Sequence, residues 1–209
     1  MVVYPEIHSN LHSNVQSAKL DSLKKTVASL ILAGGLSSRM GSDKASLVVD
    51  GVSLLKKNQD LLAQLNLETV LVSGAKAGQI SDKIKQAGPV GGIFSALDFV
   101  KPESALLVLP VDMPNLNTQV LQQLIDYGMA NQTSCYFDHY FLPAFFYDVS
   151  RLQQASNQLI TQPGKACSIR ALLNKVNARA IFIEAPSLEK CLINVNTPQQ
   201  WQTYIKQQT

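Results

Sequence analysis

The sequence is poor in charge, in cysteine, in histidine and in long apolar runs, and each shortage excludes something. Only 16% of its 209 residues are charged, and 18 basic against 15 acidic side chains leave a net charge of +3. That is too little for a dedicated nucleic-acid binder, so no nucleic-acid partner is expected. Hydrophobic residues make up 46%, a composition that buries a core and does not stay disordered. No apolar run approaches the ~20 residues of a membrane span, so no membrane partner is expected either. The first stretch, MVVYPEIHSNLHSNVQSAKLDSLKK, has polar residues where a signal peptide needs an apolar centre. Cys135, Cys167 and Cys191 lie far apart and are odd in number. They make neither a zinc pair nor a disulfide framework, and a reduced, cytoplasmic setting fits them best. Of the three histidines, His8 and His12 are spaced as two metal ligands would be on a helix, with no third ligand nearby. The remaining one, His139, falls in a turn between strands and is expected to face solvent.

What is present reads as alternating strands and helices, after an N-terminal extension of residues 1–25. Thr26–Ala33 (TVASLILA) is a short apolar run ending at glycine, hence a buried strand. Leu47–Val49 is extended and closes at the Asp50-Gly51 turn. Ser53–Leu65 places Leu54, Leu55, Leu61, Leu62 and Leu65 on one stripe of a helix. Thr69–Ser73 (TVLVS) reads as a second buried strand, and Ser104–Pro110 (SALLVLP) is the strongest strand of all. Between them, Gly91–Val100 reads as a helix entered through a Gly88-Pro89 turn. Thr118–Tyr127 is helical with Val120, Leu121, Leu124 and Ile125 inward. Ser134–Phe137 and Tyr140–Tyr147 form a strand pair around Asp138-His139. Helices near Val149–Leu159 and Ala166–Lys175 precede a strand at Ala180–Glu184. The last helix starts at Thr197, with Pro198 first and Gln200 completing a capping box. Strands that are apolar throughout, alternating with helices, imply an α/β fold of three layers, with a mostly parallel, Rossmann-like sheet covered on both faces.

In such sheets the ligand sits beyond the carboxyl ends of the strands. After the first strand comes GGLSSRMGSDK, residues 34–44. Gly34 and Gly35 allow close approach of backbone N–H groups, the serines add neutral donors, and Arg39 and Lys44 add cations. A polyphosphate requires that combination; a surface loop with solvated charges is the other reading. The templates G-x-x-x-x-G-K-S/T, G-x-G-x-x-G and G-x-S-x-G are all missing. After SALLVLP comes Asp112, a carboxylate placed to hold Mg²⁺ between phosphates or to cap the following turn. Gly88-Pro89-Val90-Gly91-Gly92 is a second glycine-rich turn, suited to approach by a base or phosphate, or simply tight. Asn194 and Asn196 put two amides on one side of an extended stretch before the last helix.

These segments resemble, in order, the motifs of the molybdenum cofactor guanylyltransferases, within the MobA-like nucleotidyltransferases of glycosyltransferase-A-like fold. LAGGLSSRMGSDK is similar to L-A-G-G-x-S-x-R-M-G-x-D-K. GPVGGIFSAL, LLVLPVDMP, YFLPAFFY and INVNTPQQW resemble the family's later segments. The likeness runs from about Thr26 to the C-terminus and implies one nucleotidyltransferase domain over residues 26–209. It implies that Leu32, Ala33, Gly34 and Gly35 lie under the nucleotide, and that Arg39 and Lys44 touch its phosphates. Asp112 would hold Mg²⁺, the Gly88-Pro89 segment would help surround the base, and Asn194 and Asn196 would lie near the pterin-side substrate. A further family aspartate just before the glycine-proline pair finds its nearest counterpart in Asp82, with the register displaced. The implied reaction joins GTP to the phosphate of the molybdenum cofactor (molybdopterin), with cofactor-synthesis proteins and acceptor molybdoenzymes as further partners. A cytidylyltransferase on the same cofactor would read L-A-A-G at the first motif, and a sugar-1-phosphate nucleotidyltransferase would be longer. A non-catalytic nucleotide-binding module would tolerate loss of Asp112 or Lys44, and both are present.

Overall fold

The computed structural model describes residues 25–34, 44–162, 166–183 and 185–207. Gly35, Arg39, His8 and His12, and the rest of the expected N-terminal extension up to residue 24, lie outside the described residues. The described strands are β1 (Val27–Leu32), β2 (Val48–Val49), β3 (Val52–Ser53), β4 (Thr69–Ser73), β5 (Ala105–Pro110), β6 (Cys135–Phe137), β7 (Ala144–Phe146) and β8 (Arg179–Ile181). The helices are α1 (Leu54–Ala63), α2 (Gly88–Ala96), α3 (Thr118–Ala130), α4 (Val149–Ile160), α5 (Ile169–Lys175) and α6 (Pro198–Lys206). Among the described residues, no helix is long and apolar enough to cross a membrane.

Six strands form one sheet in the order β4-β1-β5-β7-β6-β8, while β2 and β3 make a small hairpin. β7 runs antiparallel to both neighbours, and β4, β1, β5, β6 and β8 all point the same way. The sheet is therefore mostly parallel and is layered by helices, as the apolar strands implied. Successive side chains of β1 and β5 go to opposite faces. Val27, Ile31, Leu107 and Leu109 join α1 and α3 on one face. Ala28, Leu30, Leu106 and Val108 join α2, α4 and α5 on the other. Both faces of β1 and β5 are thus buried, and a strand in that position has no polar side to show.

The helix starts follow their capping chemistry. Ser53, Asn117, Asp148, Ser168 and Thr197 each accept a backbone N–H of the first turn through a side-chain oxygen. Thr197 and Gln200 complete the expected capping box at α6. The strand expected at Ala180–Glu184 is Arg179–Ile181, and three further expectations need correction. Thr69–Ser73 is an edge strand whose Thr69 and Val70 are exposed, because β1 is the only described strand that pairs with it and the bridge to Ile80 covers just its far end. The GPVGG segment is no separate turn, since α2 already begins at Gly88. Proline suits a first helical turn, where a missing N–H costs nothing and φ is already set. Tyr140–Tyr147 narrows to Ala144–Phe146, because Pro143 has no N–H to give to a sheet ladder. His139 faces solvent, as expected, with a side chain 89% exposed.

One close approach fixes how α3 sits on the sheet. A Cβ built at Gly128 would lie 2.1 Å from Cδ1 of Phe145, whose ring is fully buried. Glycine in mid-helix ordinarily gains stability on conversion to alanine. Here Gly128→Ala is expected to lose about 2 kcal/mol through overpacking, lowering Tm by roughly 4–8 °C. A melting curve checks this; an unchanged or raised Tm would mean that α3 shifts without cost.

Candidate active site

Because β1, β4 and β5 are parallel, their carboxyl ends lie side by side. Backbone bonds lace those ends together. The Ala33 N–H donates to the Ser73 carbonyl at 2.9 Å, and the Val111 N–H donates to the Leu32 carbonyl at 3.1 Å. Leu32 is buried beneath them, Gly34 emerges at the rim, and Asp112 is delivered next to the end of β1.

Lys44 re-enters the described chain at a single 3-10 turn, Lys44–Ser46, pinned by the buried Ala45. Its Nζ donates to Asp112 Oδ2 at 2.7 Å and to Asn196 Oδ1 at 2.6 Å. These partners are 68 and 152 residues away in sequence. The lysine and aspartate side chains are only 19% and 14% exposed. The C-terminal segment is fixed to the same place by the Val195 N–H, which donates to the Asp112 carbonyl at 2.8 Å. Asn196 is held in turn by Gln200, whose Oε1 accepts its N–H at 2.7 Å and that of Thr197 at 3.1 Å. Three sequence motifs therefore meet at one ammonium group.

Two buried oxygens here have no hydrogen-bond partner among the described residues: Asp112 Oδ1 and Asn194 Oδ1. Buried acceptors in native folds are ordinarily satisfied. An unpartnered carboxylate oxygen at the mouth of parallel strands fits a hard divalent cation. Among the described residues no group of three or more His, Cys, Asp or Glu could enclose a metal. A site with one carboxylate suits Mg²⁺, which commonly takes one or two protein oxygens and completes its shell with water and substrate phosphates.

Beside this cluster lies a cleft of about 980 Å³, whose lining includes Leu32, Gly34, Ser73, Gly74, Asp82 and Pro89. Its shape depends on α2 coming close to the strand ends. A Cβ at Gly92 would lie 2.6 Å from Ser73 Oγ and 3.0 Å from Leu32 Cδ2, so only glycine lets the helix settle there. Gly88 has a φ of +57° and opens the helix from the left-handed region. Ala87, the cap residue, offers no side-chain acceptor, and α2 starts at the cleft without a side-chain cap.

Asp82 lies in this cleft and not in the Lys44–Asp112 cluster. Its Oδ1 accepts a long bond of 3.5 Å from Ser73 Oγ. Loss of water around the carboxyl raises its pKa, and the serine bond offsets part of that rise. The cleft thus joins Leu32, Gly34, Asp82, Gly88 and Pro89, while Lys44, Asp112 and Asn196 join at the cluster, with Ala33 bonded into the adjoining strand ends. The end of β4 escaped sequence reasoning: Ser73 and Gly74 line the cleft. Ser73-Gly74 ends a parallel strand as Gly34 follows β1, and that position at a carboxyl end is the signal that marks it.

Residues 29–183 match the family described as the MobA-like NTP transferase domain. A molybdenum cofactor guanylyltransferase from Xanthomonas euvesicatoria is 34% identical over 187 residues, 88% of this chain and 96% of that one. Among solved structures, molybdopterin-guanine dinucleotide biosynthesis protein A from Archaeoglobus fulgidus superposes with a TM-score of 0.60 at 18% identity. It covers 87% of this chain and 100% of its own. Rv0371c from Mycobacterium tuberculosis, in complex with manganese, gives 0.61 at 16% identity, over 87% of this chain and 99% of that one. Both structures share the fold of the chain.

Proposed function

The chain belongs to the MobA-like NTP transferase family, and on that premise we propose that it transfers GMP from GTP to the phosphate of the molybdenum cofactor. The products are molybdopterin guanine dinucleotide and pyrophosphate. The observation that carries this reading is the convergence of Lys44, Asp112 and Asn196 beside a glycine-lined cleft. The guanylyltransferase relative, matched over nearly its whole length, supplies the substrate pair.

In this reading the nucleotide lies over Leu32, Ala33, Gly34 and Gly35, with its base toward Gly88, Pro89 and Asp82. A phosphate oxygen of the molybdenum cofactor attacks the α-phosphorus of GTP. The new P–O bond forms as the bond from the α-phosphorus to the bridging oxygen breaks, and the electron pair leaves with pyrophosphate. The nucleophile is already anionic at neutral pH, which suits a described site without histidine. Catalysis then rests on positioning and charge neutralisation. Asp112 would hold Mg²⁺, which when bound neutralises charge on the phosphates. Lys44 and Arg39 stabilise the departing pyrophosphate. Asn194 lies on the side of the pterin substrate. Acceptor molybdoenzymes and cofactor-synthesis proteins are the partners this product calls for, and the three free cysteines suit a cytoplasmic enzyme.

Incubating the protein with each of the four NTPs, Mg²⁺ and molybdenum cofactor, and weighing the products, tests the reading. The mass of the guanine dinucleotide with pyrophosphate, from GTP alone, is the expected result. A cytosine product would overturn it.

Guanine selectivity is assigned in part to Gly34. A methyl group there would contact the Gly74 Cα at 3.4 Å, an ordinary distance, and Gly34 does not occupy the left-handed region. Alanine is therefore compatible with the fold and acts on the cleft alone. Gly34→Ala is expected to lower kcat/KM for GTP by roughly tenfold, about 1.4 kcal/mol, and to affect CTP less. Tm stays within 2 °C, by the order-of-magnitude scaling for ~200 residues. An unchanged GTP/CTP preference would remove Gly34 from base selection and leave the phosphate loop standing.

A further inference from the structure

We infer that Lys44 is the resident counter-cation of Asp112, that Asn196 is the positioning residue that keeps it there, and that metal consequently enters the site with the triphosphate rather than before it. The inference rests on the reading of Asp112 as the metal-holding carboxylate. It departs from the role that sequence resemblance gives Asn196, beside the pterin.

The geometry is specific. A lysine ammonium is a compact point charge with three donors and no fixed plane, so its position depends on its acceptors. Asp112 Oδ2 and Asn196 Oδ1 supply two of these at 2.7 and 2.6 Å. The asparagine is not free to follow the lysine. Its own N–H is tied to Gln200 Oε1, its neighbour Val195 is tied to the backbone of Asp112, and α6 is capped immediately afterwards. The backbone that carries the amide is therefore fixed, and the ammonium is strung between the amide oxygen and the carboxylate. The other oxygen of the same carboxylate, Oδ1, is buried and has no hydrogen-bond partner among the described residues. A cation approaching Oδ1 meets a second positive charge on Oδ2, at a site where the side chains are mostly shielded from water and the repulsion is poorly screened. A bare divalent ion is thus disfavoured. A triphosphate changes the balance by offering Lys44 stronger, anionic acceptors. Lys44 moves to them, the repulsion on Asp112 ends, and Asp112 would then be free to hold the metal that accompanies the triphosphate.

Asn196 is an acceptor for the lysine in this arrangement. It acts on the metal only through Lys44, and the two side chains should be energetically coupled.

The test is Mn²⁺ binding to the full chain, read by the loss of the free-ion electron paramagnetic resonance signal, without nucleotide. The wild type should bind weakly. Lys44→Met should bind Mn²⁺ about tenfold more tightly, as expected when a neighbouring like charge is removed. Asn196→Ala should tighten it about threefold by loosening the lysine, and Lys44→Arg, which keeps the charge, should stay within about twofold of wild type, following the same charge argument. In saturating GTP the gap between wild type and Lys44→Met should close or reverse. A melting curve for each variant establishes that it is folded. Equal Mn²⁺ affinities for wild type, Lys44→Met and Asn196→Ala, with binding lost in Asp112→Asn, would overturn the clamp and leave the metal reading intact. Binding that ignores Asp112→Asn would overturn both, and a gap that persists unchanged in GTP would overturn the coupled entry of metal and triphosphate.

Discussion

Asp112→Asn is expected to fold normally and to lose roughly a thousandfold in kcat/KM. A metal ion on a phosphoryl group contributes several kcal/mol of charge stabilisation; about 4 kcal/mol corresponds to that factor. The substitution also turns the ion pair with Lys44 into a hydrogen bond to a neutral amide. Asparagine has nearly the size of aspartate, and its amide oxygen can still accept from Lys44 Nζ, now 2.7 Å from Oδ2. The neighbouring backbone bonds, from Val195 to the Asp112 carbonyl and from Val111 to Leu32, do not involve the side chain. What is lost is the charge that, in the proposed function, would make Oδ1, which has no partner among the described residues, a cation ligand. The residual activity should need far more Mg²⁺ to saturate, while Tm moves by no more than roughly 4 °C, about 1 kcal/mol for a chain of this length. Rates measured across a Mg²⁺ series, with a melting curve, read both quantities. A variant with wild-type Mg²⁺ dependence would take Asp112 out of the metal site.

The fold was readable in the sequence wherever a strand is buried on both faces. TVASLILA and SALLVLP are continuous apolar runs because β1 and β5 occupy the middle of the sheet, with helices on either side. TVLVS looks the same as a string but is an edge strand, since its position depends on pairing with β1, which local sequence does not encode. One cap was legible too: Thr197 and Gln200 sit where their side chains satisfy the start of α6, whereas Ser53, expected as the first residue of its helix, is the residue that caps it. The helix expected from Gly91, entered through a Gly88-Pro89 turn, already begins at Gly88. At Gly92 the reason for glycine is tertiary, the approach of α2 to Ser73 and Leu32. The candidate site was legible as separate motifs, each at the end of an element. Their meeting was not. That one amide from the C-terminal segment should hold the lysine of the first loop requires the chain to fold back across a separation of 152 residues. Asp82 shows the complementary case: six residues before Gly88, it lies out of register with a motif aspartate, yet the fold brings it into the cleft.

Lys44→Ala is expected to cut kcat by roughly a hundredfold or more while KM for GTP rises only a few-fold. Removing one well-placed donor to a developing anion typically costs 10²–10³ in rate. The small change in KM has its origin in the resting contacts of the lysine. In the proposed function Lys44 would reach the triphosphate by giving up its bonds to Asp112 Oδ2 and Asn196 Oδ1. In the ground state one set of charged hydrogen bonds is exchanged for another, so little net affinity is gained. The gain comes later, when the bridging oxygen between the α- and β-phosphates takes up negative charge that exists only in the transition state and in the product. Alanine removes the resting bonds and the phosphate contact together, and the ground-state terms largely cancel. Steady-state kinetics with GTP varied at fixed molybdenum cofactor separates the two constants. A large rise in KM at unchanged kcat would show instead that Lys44 holds the triphosphate equally in ground and transition states, and would assign the stabilisation of pyrophosphate to another residue.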